Sequence, residues 1–417
     1  MKGGGGVARE GAIVGLDVGT SKVAAVIGEI DDKNQVEIIG VGISPSIGLR
    51  KGIIVDLEST TNSIRRAISS AETLAGLKVE SVIAGVAGEH IKGSNHHGVV
   101  SIPNRRSRFV SESDVKRVIN QAKDIEMPAD RLILDAIPRE FVVDDQKGIM
   151  NPIGMAGARL EALIHIITGA SNSVQNVVKA VENAGLKVDN IILQPLASSD
   201  AVLGNDEKEL GVILIDIGAG TTDIVVYAKG SIRYTGVIPI GGEQVTNDIA
   251  IGLRTPIDRA EEIKKNFGCA VTSMIDSNET IEVPGVGGRK PKTVPRSALI
   301  EIIEPRIEEI LEIIYREVGK YGNMIHAGIV MTGGASMLNG LPEFTEKMLN
   351  MQVRIGYPIQ VTGLTDKVND PVFATGIGLV LHGAMGFGNG RIRKWNIKSD
   401  RAPEILGKIK DWFSSYF

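Results

Sequence analysis

Ala12-Ile13-Val14-Gly15-Leu16-Asp17-Val18-Gly19-Thr20-Ser21-Lys22 is an apolar run that ends on an aspartate and then turns on glycine and hydroxyl residues. Nearly half the chain later the same text returns as Val212-Ile213-Leu214-Ile215-Asp216-Ile217-Gly218-Ala219-Gly220-Thr221-Thr222-Asp223. Each copy reads as a buried strand, a tight turn and a second strand. Glycine lets backbone N–H groups come close to an anion, and Thr20, Ser21, Thr221 and Thr222 add hydroxyl donors, so each turn has the makings of a phosphate cradle. Carboxylates do not sit beside phosphate oxygens without a cation. Asp17 and Asp216 therefore imply Mg²⁺, held through water because that ion dehydrates reluctantly. A single copy reads as an ordinary hairpin. Two copies at this spacing predict two like-folded halves facing each other across one nucleotide, with Gly19 to Lys22 on one side and Gly218 to Thr222 on the other.

A third glycine motif, Ile329-Val330-Met331-Thr332-Gly333-Gly334-Ala335-Ser336-Met337-Leu338, is a short apolar strand that runs into a Gly-Gly turn and then a helical pattern. Its N–H groups, with Gly333, Gly334, Ala335 and Met337 as the candidate contacts, can lie against a nucleoside or its phosphates. Together with Gln194-Pro195-Leu196-Ala197 and Ala374-Thr375-Gly376-Ile377-Gly378, these turns resemble the five-part ATPase pattern of the actin, Hsp70 and sugar-kinase superfamily, in the expected order. That resemblance implies an α/β, actin-like (ribonuclease H-like) duplicated fold with ATP and Mg²⁺ bound between the halves. Where such relatives often carry Glu-Pro, this chain has Gln194-Pro195. An amide can position water but is a poor base, so Gln194 predicts slow ATP hydrolysis or none.

At 417 residues the chain is long enough for more than one domain. A net charge of −4 gives no overall nucleic-acid signature. Cys269 is the only cysteine, so no internal disulfide can form, a reducing cytoplasm is implied, and Cys269 itself reads as a small buried apolar residue. The glycine-rich stretch Met1 to Gly11 meets Asp17 too soon for a secretory leader, and no apolar run reaches the roughly 18 residues that a membrane span requires.

In chain order, Val23 to Ile30 and Val36 to Ile43 read as strands and Ser59 to Leu74 as a helix, a βββα start over residues 12–84 that is completed by 169–205. Between them, 85–168 reads as a compact inserted α/β subdomain. It has strands at Val82 to Val86, Val99 to Ile102, Leu132 to Ile137 and Leu160 to Thr168, and a helix capped by Ser113. His96-His97 invites a metal reading, yet adjacent histidines in a strand face opposite ways, so a solvated loop is the expectation. Arg105, Arg106 and Arg108 read as an exposed loop. Ser171 to Ala184 is a helix ended by Gly185, Val188 to Leu193 a strand, and Gln194 to Leu203 a turn that continues as a helix.

The second half, 206–253 with 319–385, repeats the meander in Asp223 to Ala228 and Ser231 to Ile240. Gly241-Gly242-Glu243 then leads into a helix, with Gly242 and Glu243 as candidate cofactor contacts. Glu243 can favour the helix start or accept a ribose hydroxyl, and the sequence leaves both readings open. An insert over 254–318 holds a helix from Thr255 to Phe267, closed by Lys264 and Lys265, with Lys265 the candidate cofactor contact. A basic loop, Arg289-Lys290-Pro291-Lys292, follows, and a charged amphipathic helix runs from Glu301 to Val318. With Arg296 and Arg306, this region has the sign to receive an acidic peptide.

Residues 386–402 form a glycine-bearing basic linker with Arg391, Arg393, Lys394, Lys398 and Arg401. In 403–417, Ile405, Leu406, Ile409, Trp412, Phe413, Tyr416 and Phe417 fall on one helical face, opposite Lys408, Lys410, Asp411, Ser414 and Ser415. Aromatic residues at the edge and lysines on the polar side suit an anionic bilayer surface, so the segment is expected to be a peripheral membrane anchor.

Across essentially all of its length the chain resembles the bacterial cell-division FtsA family. The resemblance rests on the paired phosphate turns, the third motif, the first-half insert and the basic linker that ends in an amphipathic helix. It implies an ATP-binding protein that assembles head to tail with copies of itself on the cytoplasmic face of the membrane at the division site. There it would tether FtsZ filaments and recruit later division proteins. It also implies that the first-half insert serves self-assembly and recruitment, and that the acidic C-terminal peptide of FtsZ docks on the second-half insert. Nucleic acid is not an expected partner. A sugar kinase or a PilM-like pilus-assembly homologue would share the turns, but neither accounts for the tail.

Overall fold

The computed structural model describes residues 12–102, 109–276 and 278–388, with the backbone alone for 386–388. The first half opens with β1 (Ile13–Val18), β2 (Lys22–Ile30) and β3 (Val36–Pro45). A small hairpin, β4 (Leu49–Arg50) and β5 (Ile53–Ile54), leads to α1 (Leu57–Ala75) and β6 (Ser81–Val86). The inserted unit follows as β7 (Lys92–Ser101), α2 (Glu112–Lys123), β8 (Arg131–Val143), β9 (Gln146–Ile149) and β10 (Arg159–Ala170). The chain returns through α3 (Ser171–Asn183), β11 (Lys187–Leu193), α4 (Gln194–Val202) and α5 (Asn205–Leu210).

The second half repeats the opening with β12 (Val212–Ile217), β13 (Thr222–Ala228) and β14 (Ser231–Ile238), followed by α6 (Gly242–Leu253) and α7 (Ile257–Phe267). Then come β15 (Thr280–Val283), β16 (Lys292–Pro295), α8 (Arg296–Val318), β17 (Ile329–Thr332), α9 (Leu341–Leu349) and β18 (Val353–Ile355). The last elements are β19 (Val361–Gly363), α10 (Thr365–Val368) and α11 (Ala374–Gly388).

Two sheets carry the halves, in the orders β11-β6-β1-β2-β3-β19 and β14-β13-β12-β17-β18. β1 and β12 are buried along their whole length, which is why both read as unbroken apolar runs. Alternate side chains still serve opposite faces. Val14, Leu16 and Val18 meet Ile64, Ile68 and Ala71 of α1, while Ile13 joins the core around α4 and α11. In the second sheet Leu214 shares that same core, and Ile213, Ile215 and Ile217 pack towards α6 and α8. The result is five layers, with α4 and α11 between the two sheets. The close fit of this middle layer depends on Gly378, where an added Cβ would stand 1.8 Å from the Ala197 carbonyl oxygen.

β19 pairs parallel with β3, and α11 packs on β1 and α4, so the chain crosses back to the first half after β18. The assignment of all of 319–385 to the second half is corrected accordingly. In the insert, α2 covers one face of the sheet β7-β10-β8-β9, with Val115, Val118 and Ile119 against Phe141, Leu160 and Ile164. Its cap is Ser111, not Ser113: Ser111 and Asp114 exchange reciprocal side-chain to backbone bonds. His96 and His97 lie on β7 and not in a loop, because this strand begins at Lys92, well before the apolar signal at Val99. Gln194 is already helical, with Pro195 in the first turn, and α8 starts at Arg296, ahead of the expected Glu301. Among the described residues no helix is long and apolar enough to cross a membrane. α11 runs on to Gly388, so the expected linker start at 386 is corrected; Arg105, Arg106, Arg108, the linker from 389 on and the terminal segment lie outside the described residues.

Candidate functional site

The two repeated turns close with the same hydrogen bond. Gly19 N–H donates to the Lys22 carbonyl at 3.0 Å, and Gly218 N–H donates to the Thr221 carbonyl at 2.9 Å. Their flanking strands pair with the same offset, Val18 opposite Val23 and Ile217 opposite Thr222. The fold then brings the turns together across a cleft of about 890 Å³. A Cβ on Gly220 would lie 2.6 Å from Thr20 Oγ1, so the halves approach backbone to hydroxyl at this point.

Asp17, Gly19, Thr20, Ser21, Lys22 and Gln194 line the cleft from the first half, and Asp216, Gly218, Ala219, Gly220, Thr221, Gly242, Glu243 and Lys265 line it from the second. Gly333, Gly334, Ala335 and Met337 complete the wall. Gly333 has φ +83°, and a Cβ there would stand 2.3 Å from Asp216 Oδ1, so glycine lets the third motif meet the carboxylate. Thr222 is the exception among the predicted contacts. Its hydroxyl donates to the Ile240 carbonyl at 2.8 Å and does not line the cleft, since alternation along β13 turns it away.

Asp17 is held from two sides, by Lys22 Nζ at 3.0 Å and by Gln194 Nε2 at 3.0 Å. With one amide N–H on Asp17 and the other directed at the Val18 carbonyl at 3.5 Å, Gln194 is left with its amide oxygen to hold a water. Asp216 accepts from Ser198 Oγ at 2.5 Å and from Thr375 Oγ1 at 3.4 Å. Asp223, which the sequence reading passed over, accepts from Thr221 Oγ1 at 3.2 Å while its Oδ1 is buried without a partner. Burial, and then the neighbouring Asp216, push the Asp223 carboxyl well above the usual range; burial and Asp17 also raise Asp216. Three buried carboxylates, one with an orphaned oxygen, are the donor set that a hydrated divalent cation would satisfy. Among the described residues no group of three or more His, Cys, Asp or Glu side chains is placed to cage a metal by itself, so water and phosphate would supply the remaining Mg²⁺ ligands. The signal for Asp223 was a lone carboxylate opening a fully buried strand, where the first copy has Ala24.

The first N–H groups of α6 are already engaged. Gly242 donates to the Gly218 carbonyl at 2.9 Å and Glu243 to the Ala219 carbonyl at 2.8 Å, which pins the helix to the second turn. The Glu243 side chain is left exposed on the cleft wall. Lys264, beside the predicted Lys265, is the buried member of the pair. Its Nζ donates to the Gly242 carbonyl at 2.9 Å and to Thr246 Oγ1 at 2.8 Å, and it pairs with Glu261 at 2.7 Å. Burial opposes the Glu261 charge, yet Lys264 and its other partners bring that carboxyl below its ordinary range. Lys264 shares the apolar stripe of Ala260 and Ile263, and a lysine on such a stripe was the available clue.

Arg289, Lys290 and Lys292 are exposed where β15 connects to β16. Arg296 and Arg306 are not free in the same way. Arg296 bonds Glu279 and the Phe267 carbonyl, and Arg306 pairs with Asp248 and Glu309. The histidine pair divides as expected of strand neighbours, His97 to Glu161 and His96 to Ser94. Cys269 is buried, its thiol towards the Val271 carbonyl.

The family model for the cell division protein FtsA matches residues 213–378, and that for the SHS2 domain inserted in FtsA matches 88–168. A cell division protein FtsA of Pseudomonas aeruginosa is 46% identical over 412 residues, covering 97% of this chain and 98% of its own. That of Escherichia coli K12 is 43% identical over 414 residues, with the same coverage of 97% and 98%. Among solved structures, the PilM–PilN type IV pilus biogenesis complex superposes with a TM-score of 0.63 at 18% identity, covering 89% of this chain and 98% of that one. MreB5 of Spiroplasma citri bound to ADP gives 0.52 at 15%, covering 91% and 99%. These structural likenesses establish an actin-like fold. Two family matches and sequence identity sustained over nearly the full length place this chain in the FtsA family of cell-division proteins.

Proposed function

We propose that this actin-like division protein is a nucleotide-gated membrane adaptor. ATP with Mg²⁺ would bind between the halves. The N–H and hydroxyl groups of Gly19 to Lys22 and Gly218 to Thr221 would hold the phosphates, and Asp17, Asp216 and Asp223 would orient the water shell of the cation. The cation supplies charge neutralisation. The chain's own groups fix the angle between the halves, and that angle favours head-to-tail assembly with further copies. Gln194 can position water but is a poor base, so turnover is slow and catalysis is not the purpose. The observation that carries this reading is the pair of turns, closed by the same bond and brought into contact across one cleft.

The cleft is linked through α11 to the segment that precedes the tail in sequence. Thr375 of α11 donates to Asp216, and α11 runs on towards the basic linker and amphipathic segment. Assembly aligns many such segments on one anionic membrane surface at the cytoplasmic face of the division site. The exposed Arg289, Lys290 and Lys292 give the second half a basic spot for the acidic C-terminal peptide of FtsZ, and later division proteins dock elsewhere on the same assembly. Flotation with anionic vesicles tests the adaptor. The full chain should float, and float better with ATP·Mg²⁺, whereas a truncation after Gly390 and Trp412→Glu should stay in the dense fraction. If all three behave alike, the tail is no anchor and the reading fails.

A further inference from the structure

The insert is rooted in the first half but touches both. Its first seam is the tip of the β4–β5 hairpin, where Lys51 and Gly52 have φ values of +49° and +75°. Gly52 N–H donates to Thr20 Oγ1 of the first turn at 3.2 Å. A Cβ on Gly220 of the second turn would stand 3.1 Å from Lys51 Cα, and a Cβ on Gly52 would stand 2.9 Å from Gly88 Cα, at the insert's root. Both turns and the insert thus meet at one backbone tip, the first turn through its Thr20 hydroxyl and the second turn and the insert through glycine backbone. At the root the insert's entry is tied to its exit, because His90 Nδ1 accepts from Ala170 N–H at 3.3 Å.

The second seam runs to β14. Asn95 Nδ2 donates to the Arg233 carbonyl at 3.1 Å, so its Oδ1 is the acceptor facing His165 Nδ1 at 2.8 Å. His165 therefore carries its proton on Nδ1, and Nε2 accepts from Thr235 Oγ1 at 2.8 Å. Ser231 adds a bond to the Arg139 carbonyl at 2.8 Å. Gly93 makes room for the contact, since a Cβ there would stand 2.2 Å from Thr235 Oγ1. β14 is paired along its length with β13, which starts at the second turn.

We propose that occupancy of the cleft is transmitted to the insert through these two seams, Gly52–Gly88 from the turns and Thr235–His165 from β14. An insert fastened to both halves cannot keep one orientation when the angle between them changes, so its outer face reports whether the cleft is filled. The proposal rests on the nucleotide reading above, and its test separates the two. Hydrogen–deuterium exchange is followed in β7 and β10 of the full chain with and without ATP·Mg²⁺, alongside calorimetric nucleotide binding. In the wild type, nucleotide should change exchange in these strands by roughly threefold or more. Thr235→Val should abolish that change while binding nucleotide within about twofold of wild type, and Thr235→Ser, which keeps the hydroxyl, should retain it. Nucleotide bound with no change in the wild-type insert overturns the relay and leaves the nucleotide reading standing. So does an unaltered response in Thr235→Val. Absence of binding in the wild type overturns both.

Discussion

Asp17, Asp216 and Asp223 are buried in one place, where Lys22 answers Asp17 and hydroxyls answer the other two. The consequence is a ligand-free protein under electrostatic tension. Asp216 and Asp223 both have folded pKa values above the ordinary 3.8, so above that pH the folded state holds more protons than the unfolded one. Stability without ligand must then fall as pH rises through the window between 3.8 and the raised values. Asp223→Asn removes one member of the conflict and keeps the acceptor for Thr221. Its ligand-free melting temperature should rise and vary less with pH, while its Mg²⁺-dependent nucleotide affinity should drop about 10- to 100-fold. Calorimetry across pH, with and without Mg²⁺, checks both, and an affinity unchanged by the substitution would remove Asp223 from the site. Of these residues the sequence disclosed Asp17 and Asp216, since each ends an apolar run before glycine. It hid Asp223 and Lys264, because a side chain that works by being buried leaves no spacing signature, only a charge where the pattern asks for an apolar residue.

At the scale of elements, the strands and helices of both halves were legible because burial on two faces writes long apolar runs and one-face burial writes a helical stripe. The middle layer was not. That β19 pairs with β3 and that α11 lies between the sheets follow from long-range contacts that no local period records. The small residues of α11 allow close packing, and Gly378 shows how close. Gly378→Ala would set a Cβ 1.8 Å from the Ala197 carbonyl oxygen and 2.2 Å from its carbon, both backbone atoms that no rotamer change can move aside. The layer must part, at a cost of about 1–3 kcal/mol or more. Gly319→Ala is the control, because its Cβ would meet only the Tyr315 ring at 3.5 Å, on a helical backbone. Urea unfolding should show a clear loss for the first and near neutrality for the second. Equal midpoints would mean that α4 and α11 are free to slide and that the layered description is too rigid.

At the scale of the whole molecule, the proposed adaptor would have a tail that is weak alone and made strong by assembly. Seven large apolar residues at about 1.5–3 kcal/mol each when fully buried gross well over what remains after the helix is ordered and the molecule loses its freedom. One copy should therefore bind an anionic bilayer reversibly, while copies held side by side bind as one. The basic linker adds an electrostatic share of about 1 kcal/mol for each Lys or Arg near the surface, and raising ionic strength from about 0.1 M to about 1 M shrinks the Debye length from ~10 Å to ~3 Å. Two signatures follow for the full chain on anionic vesicles with ATP·Mg²⁺. The bound fraction should rise more steeply than first order in protein concentration, and high salt should shift the curve to higher concentration without abolishing binding, because the apolar face is not screened. On neutral vesicles the salt shift should vanish. A hyperbolic isotherm that ignores both nucleotide and protein concentration would show that each tail anchors independently, and the gating step between cleft and membrane would then have to be given up.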